Sequence, residues 1–184
     1  MTVETKLTMT EQDVRSFSAL HSEPEAFTDL RVQALAAAEA LPLPKPDKTK
    51  IINWNFTDFP AHTVDSSTYE SLNELPEQVK SIVDLEQKNL YIQHNNTPAY
   101  ISLDKNLEQQ GVILTDIQTA IREHSDLVAK YFMTEAVKAE EHKLTALHAA
   151  LLNGGVFLYV PKNVVIEKPV QAVFLHDNEE ASLF

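Results

Sequence analysis

Two of the three glycines stand side by side after an asparagine, at residues 153–155, and they separate two sequence patterns. Before them, apolar residues mostly recur every three or four positions, the spacing that places side chains on one face of a helix. After them come three short apolar runs between residues 156 and 175, which are typical of strands broken by turns. We therefore expect an α+β chain, with a mainly helical domain at residues 1–153 and the first strands of an incomplete sheet at residues 154–184.

Five helices are predicted in the first domain, at residues 10–20, 22–41, 115–122, 125–132 and 137–152. Ser22 is expected to cap the second of them, with Glu25 at the capping-box position. The apolar stripe of that helix contains the small residues Ala34 and Ala38. Another element is therefore expected to pack closely against it.

Three prolines within residues 42–50 end the second helix and predict an extended, semi-rigid connector. The stretch that follows, residues 51–59, contains Trp54, Phe56 and Phe59. Because aromatic side chains of this size are costly to leave in water, we expect this stretch to anchor the connector by burial.

A small hairpin is predicted where two apolar runs, residues 89–93 and 99–103, flank a turn that contains two asparagines. Residues 111–114 are expected to form one more short strand. The three strands expected after Gly155 would leave open edges and an uncovered face. Further chain or another molecule is therefore expected to complete that sheet.

The charge of the chain limits the kind of partner it can bind. Asp and Glu number 27 against 15 Lys and Arg, a formal net charge of -12, which repels nucleic acid and anionic membranes. The sequence has no cysteine, so disulfides and thiolate ligands are excluded within it. No secretory signal and no apolar run of membrane-spanning length is present, which favours a cytoplasmic protein.

No pattern of known chemistry is found. His142 and His148 are six residues apart on a predicted helix and face different directions, and His124 is expected at a helix end. His176 stands in an acidic turn with Asp177, Glu179 and Glu180 that lacks the regular spacing of a calcium loop. Phosphate loops and nucleophile elbows are also absent. We therefore predict no catalytic, cofactor-binding or metal-ligand residue in this chain.

Three segments together resemble the SufB/SufD family. The first is Glu23-Pro24 with Arg31 and Ala34, followed by the LPLP sequence at residues 41–44. The second is Trp54 with Thr57 and Asp58. The third is the helical run at residues 143–150 followed by residues 155–164, which begin in the glycine turn and contain the VPK sequence. The first two segments are more similar to the SufD branch than to the SufB branch.

The resemblance implies a helical N-terminal domain followed by a right-handed parallel β-helix, of which this chain would contain only the beginning. It also implies a scaffold in an iron–sulfur cluster assembly complex, with a SufB-like paralog and a SufC-like ABC ATPase as partners. The cluster would be handled by the whole complex and ATP by the ATPase, so this portion would not be an enzyme. Two alternatives stay open: a β-helix enzyme whose site lies beyond residue 184, and a stand-alone protein-interaction module.

Overall fold

The computed structural model describes residues 7–51, 54, 56, 68–84, 86 and 88–178. The described helices are α1 (Glu11–Leu20), α2 (Glu25–Ala40), α3 (Glu77–Lys80), α4 (Lys105–Gln109), α5 (Ile117–Glu123), α6 (Ser125–Tyr131) and α7 (Lys143–Leu151), with a short 3-10 helix at Leu72–Glu74. The described strands are β1 (Leu90–His94), β2 (Thr97–Ser102), β3 (Ile113–Asp116), β4 (Val156–Tyr159) and β5 (Gln171–Leu175). The predicted α+β class is confirmed.

The chain divides into two compact units, each built from two stretches of sequence. Met1–Pro60 and Ile121–Leu152 form the first unit, and Ala61–Ala120 and Asn153–Leu183 form the second. This division differs from the expected boundary after residue 153, because residues 61–120 group with the strands that follow the glycines. The reason is strand pairing: β1 pairs with β5, and β3 pairs with β4.

Side-chain caps determine where two helices of the first unit, α1 and α7, begin. Thr10 caps α1 in a reciprocal capping box with Asp13. The predicted cap at Ser22 is wrong: α2 begins after Pro24 without a side-chain cap, and Ser22 lies in the left-handed region at φ 53°. The predicted helix at residues 137–152 is also too long, because the ring of His142 accepts hydrogen bonds from the amides of Leu144 and Thr145 and so starts α7 at Lys143.

The core of the first unit lies between α2 and α7, which contact each other extensively, and α1 packs on α2. Small side chains allow this close approach. The buried alanines of this core are Ala34, Ala38, Ala146, Ala149 and Ala150. The expectation that another element packs closely on the small stripe of α2 is thus confirmed, and that element is α7.

A three-stranded sheet of order β2-β1-β5 forms the centre of the second unit. β1 is antiparallel to β2, as the predicted hairpin requires, and parallel to β5, with Ile92 opposite Val173. The hairpin turn contains Asn95 at φ 53°, a conformation that asparagine tolerates better than most residues. The core of this unit comprises Leu75, Val79, Val83, Leu90, Ile92, Ala99 and Val173.

The second sheet is the antiparallel pair of β3 and β4, with Leu114 opposite Leu158. Residues 164–166, predicted as a strand, are not one in the structure. The helix predicted at residues 115–122 begins two residues later, because Thr115 and Asp116 belong to β3. The Asp116 carboxylate accepts a hydrogen bond from the first turn of α5, at the amide of Thr119.

The proline connector has no helix or strand over residues 42–50, in agreement with the sequence pattern. The predicted burial of the aromatic stretch is wrong for Trp54, which is 59% exposed. Its ring lies near that of Phe56, with the two ring centroids 6.0 Å apart. Phe59 and most other residues of the stretch lie outside the described residues. In the described part of the chain, no helix has both the length and the apolar composition required to cross a membrane.

Candidate functional site

A fully buried arginine lies in the first unit. The side chains of Arg31 and Glu23 are both 0% exposed, and the guanidinium binds both carboxylate oxygens: Nη2 donates to Oε1 at 2.6 Å and Nε donates to Oε2 at 2.8 Å. The hydroxyl of Ser18 donates to the same carboxylate at 2.7 Å. This two-point geometry is the strong form of an arginine–carboxylate pair.

The remaining donors of Arg31 satisfy the end of α7. Nη1 donates to the carbonyl of Ala150 at 3.1 Å, and Nη2 donates to the carbonyl of Leu152 at 2.8 Å. These carbonyls belong to the last turn of a helix, where no intrahelical donor is available and a positive charge is favourable. The rings of Phe17 and Phe27 lie about this guanidinium, with centroids 5.1 and 5.0 Å from Cζ. The cluster therefore joins α1, α2 and α7, and its role is structural.

Two more basic side chains lie on α7. Lys143 is buried and its Nζ donates to the carbonyl of Ala38, in the last turn of α2. Partial burial lowers the pKa of His148, and the positive charge of Arg31 lowers it further. A neutral His148 avoids placing a second positive charge beside the buried guanidinium.

The histidines considered as metal ligands do not come together. His142 caps α7, His124 precedes α6 without a side-chain cap, and His148 lies near Arg31. Asp177 of the acidic turn is bound by His94, whose Nε2 lies 2.8 Å from Oδ1, whereas Glu179 and Glu180 lie outside the described residues. Among the residues that the structure describes, no group of three or more histidines or carboxylates could hold a metal ion.

A polar chain lies inside the second unit, on the face of β1 opposite its apolar core. The hydroxyl of Tyr91 lies 2.9 Å from Oε1 of Gln93 and 3.0 Å from the carbonyl oxygen of Gly155, and these two acceptors share its single proton. Nε2 of Gln93 donates in turn to the carbonyl of Asn95 at 2.8 Å. A Cβ at Gly154 would lie 2.9 Å from that Nε2, so the glycine turn leaves space for this polar chain.

Burial of Tyr91 predicts a loss of stability at alkaline pH. Burial raises the pKa of Tyr91 well above its ordinary value of 10.0, and the charge of Asp116 raises it further. Above pH 10 the unfolded chain releases this proton while the folded chain keeps it, so stability falls as pH rises, by up to about 1.4 kcal/mol per pH unit. Urea unfolding at pH 8 to 11 measures this slope.

Tyr91→Phe is the matched control for that titration. It is expected to cost about 1 kcal/mol at pH 8, since it removes the donor to the Gly155 carbonyl, and to reduce the alkaline slope. Equal slopes for the variant and the parent protein would contradict the assignment of the alkaline loss to Tyr91.

Strand β4 presents apolar side chains to solvent. The exposed face of β4, defined by Val156 and Leu158 together with Val160 directly after the strand, has residues that are 37 to 44% exposed. Phe174 of the outer strand β5 is 51% exposed. Both strands lie at the edge of their sheets, where backbone groups can pair with a further strand. These edges are the best candidate in the described residues for an interaction surface.

Comparison with known proteins identifies the family. The family model described as "SufBD protein N-terminal region" matches residues 20–172, most of the chain. The chain belongs to the SufB/SufD family. It is 58% identical over 186 residues to the "Iron-sulfur cluster assembly protein SufD" of Bacillus subtilis (strain 168), a match that covers 100% of this chain and 43% of that relative.

Two staphylococcal relatives are more distant. The chain is 35% identical over 188 residues to an "Iron-sulfur cluster assembly SufBD family protein" of Staphylococcus haemolyticus (strain JCSC1435), and 34% identical to one of Staphylococcus aureus (strain USA300). Each match covers 96% of this chain and 40% of the relative. This SufD-like chain thus spans less than half the length of the curated relatives it matches.

The structure gives the family resemblance a physical basis. Glu23 and Arg31, which carry the first similar segment, are the two members of the buried ion pair. The third similar segment contains α7, whose last carbonyls that arginine binds, and the glycine turn that accommodates the Tyr91 chain. Glu23 and Arg31 are recognisable in the sequence as motif residues, but their binding to each other was not predicted.

Proposed function

We propose that this chain is the N-terminal region of a scaffold subunit in iron–sulfur cluster assembly and has no catalytic activity of its own. The observation that carries the proposal is its 58% identity, over its whole length, to a protein named as SufD. Membership of the SufB/SufD family supports the same pathway.

The interior of both units supports a structural role. The most buried polar groups are occupied in binding the fold together: Arg31 holds Glu23 and the end of α7, and Tyr91 holds the glycine turn. A catalytic acid, base or nucleophile requires access to a substrate, and these groups have none. In this proposal the iron–sulfur cluster is the cargo of the complete complex, and ATP is bound by its ATPase subunit.

The proposed partners are a SufB-like paralog and a SufC-like ABC ATPase in the cytoplasm. A net charge of -12 is compatible with protein partners and unfavourable for nucleic acid or anionic lipid. The relatives are more than twice as long as the matched region, so the ATPase contact is expected in the part of the protein beyond it.

We further propose that β4 and β5 belong to the start of a right-handed parallel β-helix. The parallel pairing of β1 with β5 supports this proposal, as does the position of β4 and β5 at sheet edges. Added strands would pair with those edges and cover the exposed face of β4, which removes apolar area from water.

Co-purification tests the proposed function. The full-length protein that contains this region, and separately the 184-residue chain, are each co-expressed with a tagged SufC-like ATPase and the SufB-like paralog. The full-length protein is expected to elute with both partners as one species in size-exclusion chromatography. The 184-residue chain is expected to elute alone.

An ABC ATPase from an unrelated transport system serves as the control bait and is expected to recover neither protein. If the full-length protein fails to associate with both SUF partners, the scaffold role is contradicted. If the 184-residue chain associates by itself, the scaffold role stands and the contact lies within the residues of this chain.

A further inference from the structure

The hairpin turn between β1 and β2 holds the segment that follows β5. The amide of Asn95 donates to the carbonyl of Leu175 at 2.7 Å. The side-chain oxygen of Asn95 accepts hydrogen bonds from the backbone amides of Asp177 and Asn178, both at 3.1 Å. Its Nδ2 donates to Oδ1 of Asp177 at 3.1 Å. One asparagine side chain therefore binds two successive residues after the strand.

His94 adds a second connection to the same carboxylate. Its Nε2 lies 2.8 Å from Oδ1 of Asp177, and its Nδ1 lies 3.2 Å from the hydroxyl of Tyr69. An ionised carboxylate only accepts hydrogen bonds, so Nε2 carries a proton. In the neutral imidazole Nδ1 is then the acceptor, and the hydroxyl of Tyr69 donates to it. Tyr69 therefore orients the ring of His94, and His94 orients the carboxylate of Asp177.

The backbone geometry of the turn positions Asn95 to bind the segment after β5. Its backbone lies in the left-handed region at φ 53°, and its side chain is buried although Asp177 is 56% exposed. The contacts also lie beyond the last pair of the β1–β5 ladder, His94 with Leu175. Separation of the segment from the turn would therefore break side-chain hydrogen bonds without breaking the ladder.

We propose that Tyr69, His94, Asn95 and Asp177 form a latch that fixes the segment after β5 on the β1–β2 turn and opens locally while the sheet stays folded. The latch determines the direction in which the chain leaves β5. Local opening of this kind is expected because the segment is held here by hydrogen bonds at a partly exposed site, where Asp177 is 56% exposed. The inference concerns the described residues alone and stands or fails independently of the proposed role in cluster assembly.

Amide hydrogen exchange followed by NMR tests the latch. Asn95→Gly keeps a residue that accepts positive φ and deletes the side chain, so the turn itself is preserved. This variant is expected to raise the exchange rates of the Asp177 and Asn178 amides about tenfold or more, the scale of losing one or more hydrogen bonds. Exchange of the β5 amides of Gln171 and Val173, which face β1, is expected to stay unchanged.

His94→Gln and Asp177→Asn test the second connection, and Glu167→Gln is the matched charge control at an exposed site of the same unit. Each of the first two is expected to accelerate exchange at Asn178, and the double variant is expected to add little, because both remove the same contact. Unchanged exchange at Asp177 and Asn178 in Asn95→Gly would overturn the latch. Equal acceleration in β5 would overturn its local character.

Discussion

Arg31→Met is expected to destabilise the first unit by about 3–5 kcal/mol, the largest effect among the substitutions considered. The substitution leaves the carboxylate of Glu23 fully buried without its cation, and such uncompensated charges are strongly destabilising. It also removes the donors to the carbonyls of Ala150 and Leu152. Urea unfolding followed by far-UV circular dichroism measures the change.

The double variant Glu23→Gln with Arg31→Met separates the two causes. Neutralising Glu23 as well is expected to recover a large part of the lost stability, because no unpaired charge then stays buried. Arg31→Lys is expected to be intermediate, since an ammonium group cannot bind both carboxylate oxygens and two carbonyls in the planar fork of a guanidinium. A loss below about 1 kcal/mol in Arg31→Met would contradict the structural role of the cluster.

Ala38→Leu is expected to cost about 2–3 kcal/mol through overpacking. Ala38 is 0% exposed and lies in the core that α2 forms with α7, where four other alanines allow the helices to approach closely. Added methylene groups in a dense core force neighbouring side chains and backbone to move. The shift in the midpoint of thermal unfolding measures this cost.

Ala36→Leu is the matched control for that substitution. Ala36 lies on the exposed side of the same helix, so the same change of residue type there is expected to alter stability by less than about 0.5 kcal/mol. Similar losses at both positions would indicate that helix propensity, rather than packing against α7, determines the effect at Ala38.

Local signals in the sequence predicted a good part of this fold. The helix at residues 10–20, the small stripe at Ala34 and Ala38, and the asparagine turn of the hairpin each depend on residues within a few positions of one another. The structure confirms all three. The family resemblance was also predicted from short motifs, and the comparisons confirm it.

Features that depend on distant residues were not predicted. Arg31 was read only as a motif residue, because its carbonyl partners lie 119 and 121 positions further along the chain. The contact of His94 with Asp177 joins residues 83 positions apart, a distance at which spacing along the sequence carries no signal. The error at residues 137–142 has a local cause: histidine is a rare helix cap, so the signal at His142 was missed.

The partners of Arg31 determine when the first unit can close during synthesis on the ribosome. Glu23 accompanies Arg31 from the start, but the carbonyls of Ala150 and Leu152 emerge more than a hundred residues later. During that interval α7 does not yet cover the ion pair or the alanine side chains of α2, so both remain exposed to water. The first unit therefore closes only after α7 has been made, and its two early helices depend on a part of the nascent chain that follows them by more than a hundred residues.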